Sequence, residues 1–420
     1  MQRESQFPVE EEPSAACPVI HDIGTHRVID QGLLHYEASA AGFAERYRRG
    51  ETSHTIHVWW ARRPHSAMRA LVYASLAASQ NNLPGELLAE LGQPGGGNPD
   101  NLAKARSNIL QSFDGNRPRV LDLFAGGGTI PLEALRLGAE TYAVDSNQLA
   151  AFINSCHLEW ATRQDPRALG ELVEAAGRRV LRNLAARTAH LFPLRDDQDS
   201  SRSRLPITTY IWSYSTRCGA CGYRFSLCKR PWLSKKNGRR IAQHYDNGDE
   251  AQRVSVRDLQ HGEQPFPSNW IGRTGKTHCP ACGWNSDKIS LDDCQDQLVA
   301  LVEYQRGRGK HFTEALGAAL PSPEVIAESE SELLAELAQS LPTAAIPNWS
   351  GIVNPAVYGM RTHADIVNPR QRVVLLALLS ALREESVVLA TEHGSDLATG
   401  VISLLSGLVD QCVDWNSRLS

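Results

Sequence analysis

Val120-Leu-Asp-Leu-Phe-Ala-Gly-Gly-Gly-Thr129 is the stretch of sequence that decides the fold of this chain. A short apolar run reaches Asp122, three glycines follow, and a helical pattern then runs from Ile130 to Leu137. Apolar residues return from Thr141 to Val144, directly before Asp145. This order predicts a β-strand, a glycine turn, an α-helix and a second strand, which together make one βαβ unit.

The three glycines indicate a ligand that lies close to the backbone. Residues without a Cβ let the chain turn sharply, and the amides at the start of the next helix favour an anion. Asp145 can accept hydrogen bonds from the ribose hydroxyls of a nucleoside cofactor. A dinucleotide-binding loop would need a third glycine where this chain has Pro131.

Asp122 before Phe-Ala-Gly-Gly-Gly instead resembles the methyltransferase pattern. This resemblance implies an α/β fold with a Rossmann-like class I methyltransferase core that binds S-adenosylmethionine. The predicted cofactor-binding residues are Asp122, Phe124, Ala125, Gly126, Gly127, Gly128 and Asp145.

Two Cys-x-x-Cys-Gly-aromatic segments follow the core. They provide four candidate metal ligands, Cys218, Cys221, Cys279 and Cys282. Four thiolates in two tight turns suit a tetrahedral structural zinc ion with no position left for water, although free thiols or redox pairs are the alternatives. The gap between the pairs exceeds the roughly 15 to 20 residues of a compact zinc ribbon, so we expect an insertion or extended strands between them.

The region of the cysteine pairs is basic in a chain whose formal net charge is -4. Between Ile211 and Asn285 there are twelve Lys and Arg residues and five acidic residues. This excess indicates a surface that faces phosphate, and the candidate nucleic-acid-binding residues here are Lys235, Lys236, Arg239 and Arg240. The alternative is a solvated basic turn.

Four domains are predicted. Residues 1–118 form an N-terminal module, 119–195 the cofactor-binding core, 206–292 a zinc ribbon with a basic insertion, and 293–420 a helical C-terminal region. Within the N-terminal module we expect a helix from Ser66 to Ser79 and a loop over residues 80–117, which are rich in glycine and proline. We find no signal peptide and no run of about 18 apolar residues, so we expect a soluble, cytoplasmic protein without a membrane partner.

A Trp-Trp-Ala-Arg-Arg-Pro string ends at Pro64. Arg62 and Arg63 are candidates for contact with DNA phosphate or with the carboxylate of the cofactor. The alternative is that the tryptophans fill a core and the arginines form salt bridges at a helix start.

This string, the Asp122–Thr129 segment and the paired cysteines together resemble the prokaryotic adenine-specific DNA methylases that contain a zinc ribbon. Residues 358–371 and 413–418 are similar to segments that those proteins carry near their catalytic region. The resemblance covers most of the chain from about residue 54 onward. It implies methyl transfer from S-adenosylmethionine to an exocyclic amine of DNA, and adenine is implied by the name of the family alone.

The chain departs from this family in one respect. Enzymes of this class use an Asp/Asn/Ser-Pro-Pro-aromatic tetrapeptide to bind the exocyclic amine and stack on the flipped base. The 420 residues contain no such string, and the strings that begin at Asn354 and Asn368 lack the second proline and the aromatic residue. We expect a split enzyme in which a second polypeptide carries the tetrapeptide, so no catalytic residue is assigned here. The alternatives are a truncated relic, an RNA methyltransferase, and a non-catalytic nucleic-acid-binding subunit of a restriction–modification or defence system.

Overall fold

The computed structural model describes residues 26–31, 42, 43, 45, 57–61, 63–79, 85–93, 95–163, 165–192, 207–236, 238–271, 276–286, 289, 293–307, 309–315, 320–347 and 355–418. The chain divides into two compact units, unit 1 (Met1–Leu169) and unit 2 (Gly170–Ser420). The boundary between the predicted cofactor-binding core, which ends at 195, and the predicted zinc ribbon, which starts at 206, lies outside the described residues.

Unit 1, within its described residues, contains helices and one pair of strands. In chain order it contains a 3-10 turn (Val28–Gln31), α1 (His65–Leu76), α2 (Gly85–Leu91), α3 (Pro99–Gln111), β1 (Arg119–Asp122), α4 (Thr129–Arg136), β2 (Glu140–Ala143), α5 (Gln148–Asn154), a π-helical segment (Ser155–Trp160) and α6 (Ala161–Arg163). Helix α7 (Pro166–Thr188) begins in unit 1 and continues into unit 2.

Strands β1 and β2 are parallel neighbours, with Arg119 opposite Glu140 and Asp122 opposite Ala143. Helix α4 lies between them in the chain, so the order of strand, glycine turn, helix and strand is present. Among the described residues, no further strand pairs with either of them. The Rossmann-like class I core, which would need a larger parallel sheet, therefore stays a prediction.

The expectation of a loop over residues 80–117 is wrong, because helices α2 and α3 occupy much of it. The side chain of Asn98 accepts a hydrogen bond from the Asn101 amide, and Pro99 occupies the first turn, where a missing N–H costs nothing. The two helices also complete the apolar core of unit 1. Buried members of this core are Tyr73, Leu91, Leu102, Ala105, Ile109 and Leu137.

The described residues of unit 2 form three small antiparallel sheets. Its strands are β3 (Ile207–Arg217), β4 (Arg224–Leu227), β5 (Trp232–Ser234), β6 (Ile241–Asn247), β7 (Gln252–Asp258), β8 (Trp270–Ile271), β9 (Lys276–His278), β10 (Asn285–Ser286), β11 (Cys294–Gln305) and β12 (Gly309–Glu314). The sheet orders are β12-β11-β3-β4, β5-β6-β7 and β10-β9-β8.

The expectation that the region from residue 293 onward is helical is wrong for its first part. Strand β11 pairs with β3 over most of its length, and β12 pairs with β11. In β11 the residues from Leu298 to Val302 are all buried, so this strand is covered on both faces. Such a strand has a continuous apolar sequence, which resembles that of a buried helix, and this explains the wrong prediction. The β-rich region therefore extends beyond residue 292, to Glu314.

The remaining helices of unit 2 are α8 (Pro323–Leu337), α9 (Pro369–His393) and α10 (Ser395–Trp415), together with 3-10 turns at Ala189–Leu191, Pro355–Tyr358 and His363–Ile366. Leu191, Leu333, Leu337, Val373 and Leu376 belong to one buried apolar cluster. Asn368 caps α9 in a capping box with Gln371, so the Asn368-Pro string begins a helix.

The two C-terminal segments that carry the family resemblance hold the helices of unit 2 to its largest sheet. The buried Arg370 guanidinium lies 4.7 Å from the ring centroid of Trp212 on β3 and donates to the Leu191 carbonyl. The Arg418 guanidinium donates to both carboxylate oxygens of Asp296 on β11, at 2.6 and 3.1 Å. These segments have a structural role in this chain.

Helix α10 is the one helix among the described residues that is long and apolar enough to cross a membrane. It packs along α9, and its Ala398, Val401 and Leu405 side chains are buried. A single helix of this kind that packs on a neighbour is weak evidence for a membrane span.

Candidate cofactor loop and metal site

The glycine loop, residues 123–128, connects β1 to α4. Gly126 and Gly128 have φ values of 53° and 77°, a left-handed conformation that other residues adopt at a cost. The Ala125 amide donates to the Val144 carbonyl at 3.1 Å, and the Gly128 amide donates to the Ala125 carbonyl at 2.8 Å. The loop is therefore a defined turn at the carboxyl ends of the two parallel strands.

Asp145 belongs to the same site as the loop. One of its carboxylate oxygens accepts from the Gly126 amide and the other from the Asn147 amide, each at 2.8 Å. These two hydrogen bonds, that from Asn147 first, lower the pKa of Asp145. The carboxylate of Asp122 accepts from the Phe124 amide at 3.1 Å. The seven residues predicted to bind the cofactor thus lie together.

The glycines are required by two neighbours that the sequence did not identify. A Cβ on Gly126 would lie 2.8 Å from Nε1 of Trp59, and one on Gly127 would lie 2.9 Å from the Trp59 Cβ. A Cβ on Gly128 would lie 2.6 Å from the Asn154 Oδ1. Trp59 and Asn154 therefore pack closely against the loop.

Asn154 is buried and holds the loop from its own helix, α5. Its amide nitrogen donates to the Gly126 carbonyl at 2.9 Å and to the Ala150 carbonyl at 2.8 Å, whereas its Oδ1 has no partner among the described residues. A π-helical segment starts immediately after it, and such segments occur often at functional sites.

Helix α4 is tied to α1 through the buried carboxylate of Glu133. His65 Nδ1 and Arg69 Nε lie 2.9 and 2.8 Å from its oxygens, and Arg136 adds a third contact at 2.9 Å. Burial by itself would raise the pKa of Glu133, but the hydrogen bond from His65 and the charges of the two arginines lower it. Glu45 accepts from the His65 and Ser66 amides at the start of α1.

One face of the β1–β2 pair is open to solvent. Leu121, with 60% of its surface exposed, is a member of a group of exposed apolar side chains next to the glycine loop. The others are Leu123, Phe124, Tyr142 and Val144. Because parallel strands are normally covered on both faces, this pair has the surface of an uncompleted sheet.

The four predicted metal ligands come together in unit 2. Their sulphur atoms all lie within 4.8 Å of one another, and Cys218 to Cys282 and Cys221 to Cys279 are 3.7 and 3.8 Å apart. The four cysteines can therefore hold a metal ion such as zinc.

The two cysteine turns have the same backbone geometry. The Cys218 amide donates to the Tyr223 carbonyl and the Cys279 amide to the Trp284 carbonyl, and each turn ends in a glycine with φ near 73°. Burial by itself would raise the pKa of Cys218, but the amides of Cys221 and Ala220 lower it to about 7. The first turn joins β3 to β4 and the second joins β9 to β10, and the predicted insertion between the pairs contains the sheet β5-β6-β7.

The four basic residues predicted to meet nucleic acid lie between β5 and β6. Lys235 and Lys236 are exposed, Arg239 pairs with Asp258 at 3.0 Å, and the Arg240 side chain donates to the Glu263 carbonyl. Lys235 Nζ and Arg240 Cζ lie 4.1 and 5.0 Å from the ring centroid of Trp232, so this ring is covered by cations.

A cleft of about 440 Å³ lies beside the first cysteine turn. Arg217, Arg224 and Trp284 contribute to its lining, and Trp284 also packs over Gly219, where a Cβ would lie 3.1 Å from the indole. Neither the cleft nor these residues were identified as a site in the sequence.

In unit 1, Arg63 is exposed at the end of the Trp-Trp-Ala-Arg-Arg-Pro string, and Arg62 lies outside the described residues. Trp60 is 80% exposed, so it does not fill a core, whereas Trp59 is half-buried against the glycine loop. The Trp-Trp-Ala-Arg-Arg-Pro string was identified in the sequence, but its residue spacing gave no indication that Trp59 contacts Gly126 and Gly127.

Comparison with known proteins identifies one short region. Residues 37–90 match the family model DUF1156, described as a protein of unknown function. This region contains Trp59, Arg63, α1 and part of α2. No curated protein and no solved structure matches the chain.

Proposed function

We propose that this chain binds S-adenosylmethionine on the glycine loop and serves the methylation of an exocyclic amine in DNA, with adenine as the base. The observation that carries the proposal is the hydrogen bond between Asp145 and the Gly126 amide, which keeps an acidic residue and a glycine turn together at the carboxyl ends of parallel strands. Nucleoside cofactors bind at this edge in open α/β sheets.

The residues of the site fit the cofactor. The three glycines place no side chain of their own over the loop backbone, where Trp59 and Asn154 pack, and the first turn of α4 presents amides that could face a carboxylate. The Asp145 carboxylate has acceptor capacity left for ribose hydroxyls beyond its two amide partners. When bound, S-adenosylmethionine supplies the methyl group, and this chain positions it.

We further propose that the four cysteines bind a structural zinc ion. Four thiolates close the coordination sphere, so the ion has no position for a water molecule or a substrate and acts on folding. The exposed lysines at 235 and 236, with Arg239, Arg240, Arg62 and Arg63, are the residues proposed to meet DNA phosphate, which attracts cations without regard to base sequence.

The acceptor-binding tetrapeptide is proposed to come from a second polypeptide. No Asp/Asn/Ser-Pro-Pro-aromatic string is present in the 420 residues. The open face with Leu121, Tyr142 and Val144 supports this proposal, because the faces of a complete parallel sheet are normally covered by helices. The proposed location is the cytoplasm, where the DNA substrate of a prokaryotic methylase is found.

The first test is calorimetry of S-adenosylmethionine binding to the purified chain, with zinc measured on the same sample. Asp145→Ala should abolish measurable binding, and Asp100→Ala, which removes an exposed carboxylate of the same unit, should leave it unchanged. Wild-type protein that does not bind the cofactor would overturn the proposed function.

The second test compares duplex DNA with structured RNA. Binding of each to the chain, followed by fluorescence anisotropy at several salt concentrations, should be tighter for DNA and should weaken as salt rises. Tighter binding to RNA would favour the RNA methyltransferase alternative, and cofactor-independent binding without any methylation in the presence of the partner would favour a non-catalytic subunit.

A further inference from the structure

The indole of Trp59 lies on the glycine loop itself. Carbon and nitrogen atoms of this side chain are the nearest neighbours of the positions where a Cβ would stand on both Gly126 and Gly127, at 2.8 to 2.9 Å. Two consecutive residues therefore need to be glycine in order to admit one tryptophan. Gly126 and Gly127 are also the residues whose backbone would face a bound cofactor.

Trp59 is not a core residue of unit 1. Its side chain is half-buried, and it is not a member of the apolar cluster formed by Tyr73, Leu91, Ile109 and their neighbours. Its neighbour Trp60, with ring centroids 6.0 Å apart, is largely exposed. A large aromatic side chain that is partly exposed beside a glycine turn is available to a ligand.

The segment that carries Trp59 is fixed relative to the loop. Helix α1 starts six residues later, where Glu45 accepts from the His65 and Ser66 amides. Glu133 on α4 then binds the side chains of His65 and Arg69. Since α4 follows the glycine loop directly, the buried carboxylate of Glu133 sets the distance between the start of α1 and the loop.

We infer that Trp59 forms one wall of the cofactor pocket and contacts the sulfonium end of the bound S-adenosylmethionine. The inference rests on the proposed function and adds to it a binding residue within the region of unknown function at 37–90. Its physical basis is the attraction of a cation to the face of an indole, for which tryptophan is the best of the aromatic residues.

The test measures cofactor affinity by calorimetry in the full chain. Trp59→Ala should weaken S-adenosylmethionine binding about tenfold, and Trp59→Phe should restore most of it because it keeps an aromatic face. Trp60→Ala is the matched control, since it removes an exposed indole from the same segment, and should bind as wild type does.

Tryptophan fluorescence gives a second readout that does not depend on activity. Cofactor binding should change the emission of the wild-type chain, Trp59→Phe should remove most of that change, and Trp60→Phe should retain it. Unchanged or tighter binding by Trp59→Ala, or an emission change that persists in Trp59→Phe, overturns the inference while the proposed function stands. If the wild type itself binds no cofactor, the proposed function fails and the inference fails with it.

Discussion

The metal site of unit 2 and the glycine loop of unit 1 differ in how complete they are. The four cysteines meet within this chain, two of them buried, and their turns are part of a hydrophobic cluster with Tyr223, Phe225 and Leu227. The glycine loop is equally well defined, but the strands that carry it leave Leu121 and Tyr142 exposed. The comparison indicates that unit 2 supplies four ligands for a metal ion from its own residues, whereas the strand pair of unit 1 leaves an apolar face exposed.

The largest effect is expected at the metal site. Cys218→Ser should abolish zinc binding and unfold the β-rich part of unit 2, because structural zinc sites contribute an apparent binding free energy of about 10–16 kcal/mol near neutral pH. Metal content by atomic emission and limited proteolysis measure the result. Cofactor binding by unit 1 should persist.

The matched control for that experiment is Cys412→Ser, which replaces a partly buried thiol of α10 outside the cysteine cluster. It should keep one zinc ion per chain. A Cys218→Ser protein with unchanged zinc content and unchanged protease resistance would contradict a structural metal site, and would remove the difference between the two regions.

The next largest effect is expected at Glu133, the buried carboxylate that ties α4 to α1 in unit 1. Glu133→Gln should destabilise unit 1 by roughly 3–5 kcal/mol, because it leaves Arg69 buried without its charged partner. Urea unfolding measures the change. Glu140→Gln is the control, since that carboxylate is exposed, and it should change the free energy of unfolding by less than about 0.5 kcal/mol.

The same carboxylate predicts a pH dependence. Burial alone would raise the pKa of folded Glu133, but His65, Arg69 and Arg136 lower it below the usual value. Its contribution to stability is therefore present above the ordinary pKa of glutamate and is lost as the pH falls through the lower pKa of the folded state. Wild-type unit 1 should lose stability in acid more steeply than Glu133→Gln; equal slopes would show that another group is responsible.

The sequence predicted the local features well where one short pattern is sufficient. The order of strand, glycine turn, helix and strand, and the meeting of the two cysteine pairs, follow from residue types at fixed spacing. Residues 80–117 were misassigned because glycines and prolines suggested a loop, whereas Asn98 and Pro99 are the start signals of a helix. Strand β11 was wrongly predicted as helical, because its continuous apolar run is also typical of a buried helix.

The contacts that connect distant segments could not be predicted. Trp59 and Gly127 are far apart in the chain, as are His65 and Glu133, and no periodicity links them. Arg370 and Arg418 appeared only as members of segments that resemble a family, yet the structure gives them neighbours on β3 and β11. Such pairs depend on tertiary packing, about which a single sequence carries little information.

A smaller effect is expected within the glycine loop. Gly128→Ala should destabilise unit 1 by about 1–3 kcal/mol, because residue 128 has a left-handed backbone and the new Cβ meets Asn154 Oδ1. Thermal unfolding and cofactor calorimetry measure the two consequences, and binding should be lost. Gly95→Ala is the control, because Gly95 has a similar φ of 82° with no atom near its Cβ position. If both variants lose the same stability and both bind the cofactor, the packing of Asn154 against the loop is unimportant.

The smallest effect tests whether the face of β1 is open in solution. Leu121→Ala should change the free energy of unfolding by less than about 0.5 kcal/mol, because an exposed side chain loses little when it is shortened. Leu137→Ala makes the same chemical change at a fully buried position of the core of unit 1 and should cost about 2–5 kcal/mol. Urea unfolding of both variants gives the comparison. Equal losses would mean that Leu121 is covered in the folded protein, and the surface proposed for the second polypeptide would then be occupied by this chain. A small loss at Leu121 together with a large one at Leu137 leaves that face available, and the difference between the closed cysteine cluster and the open face of the β1–β2 pair stands.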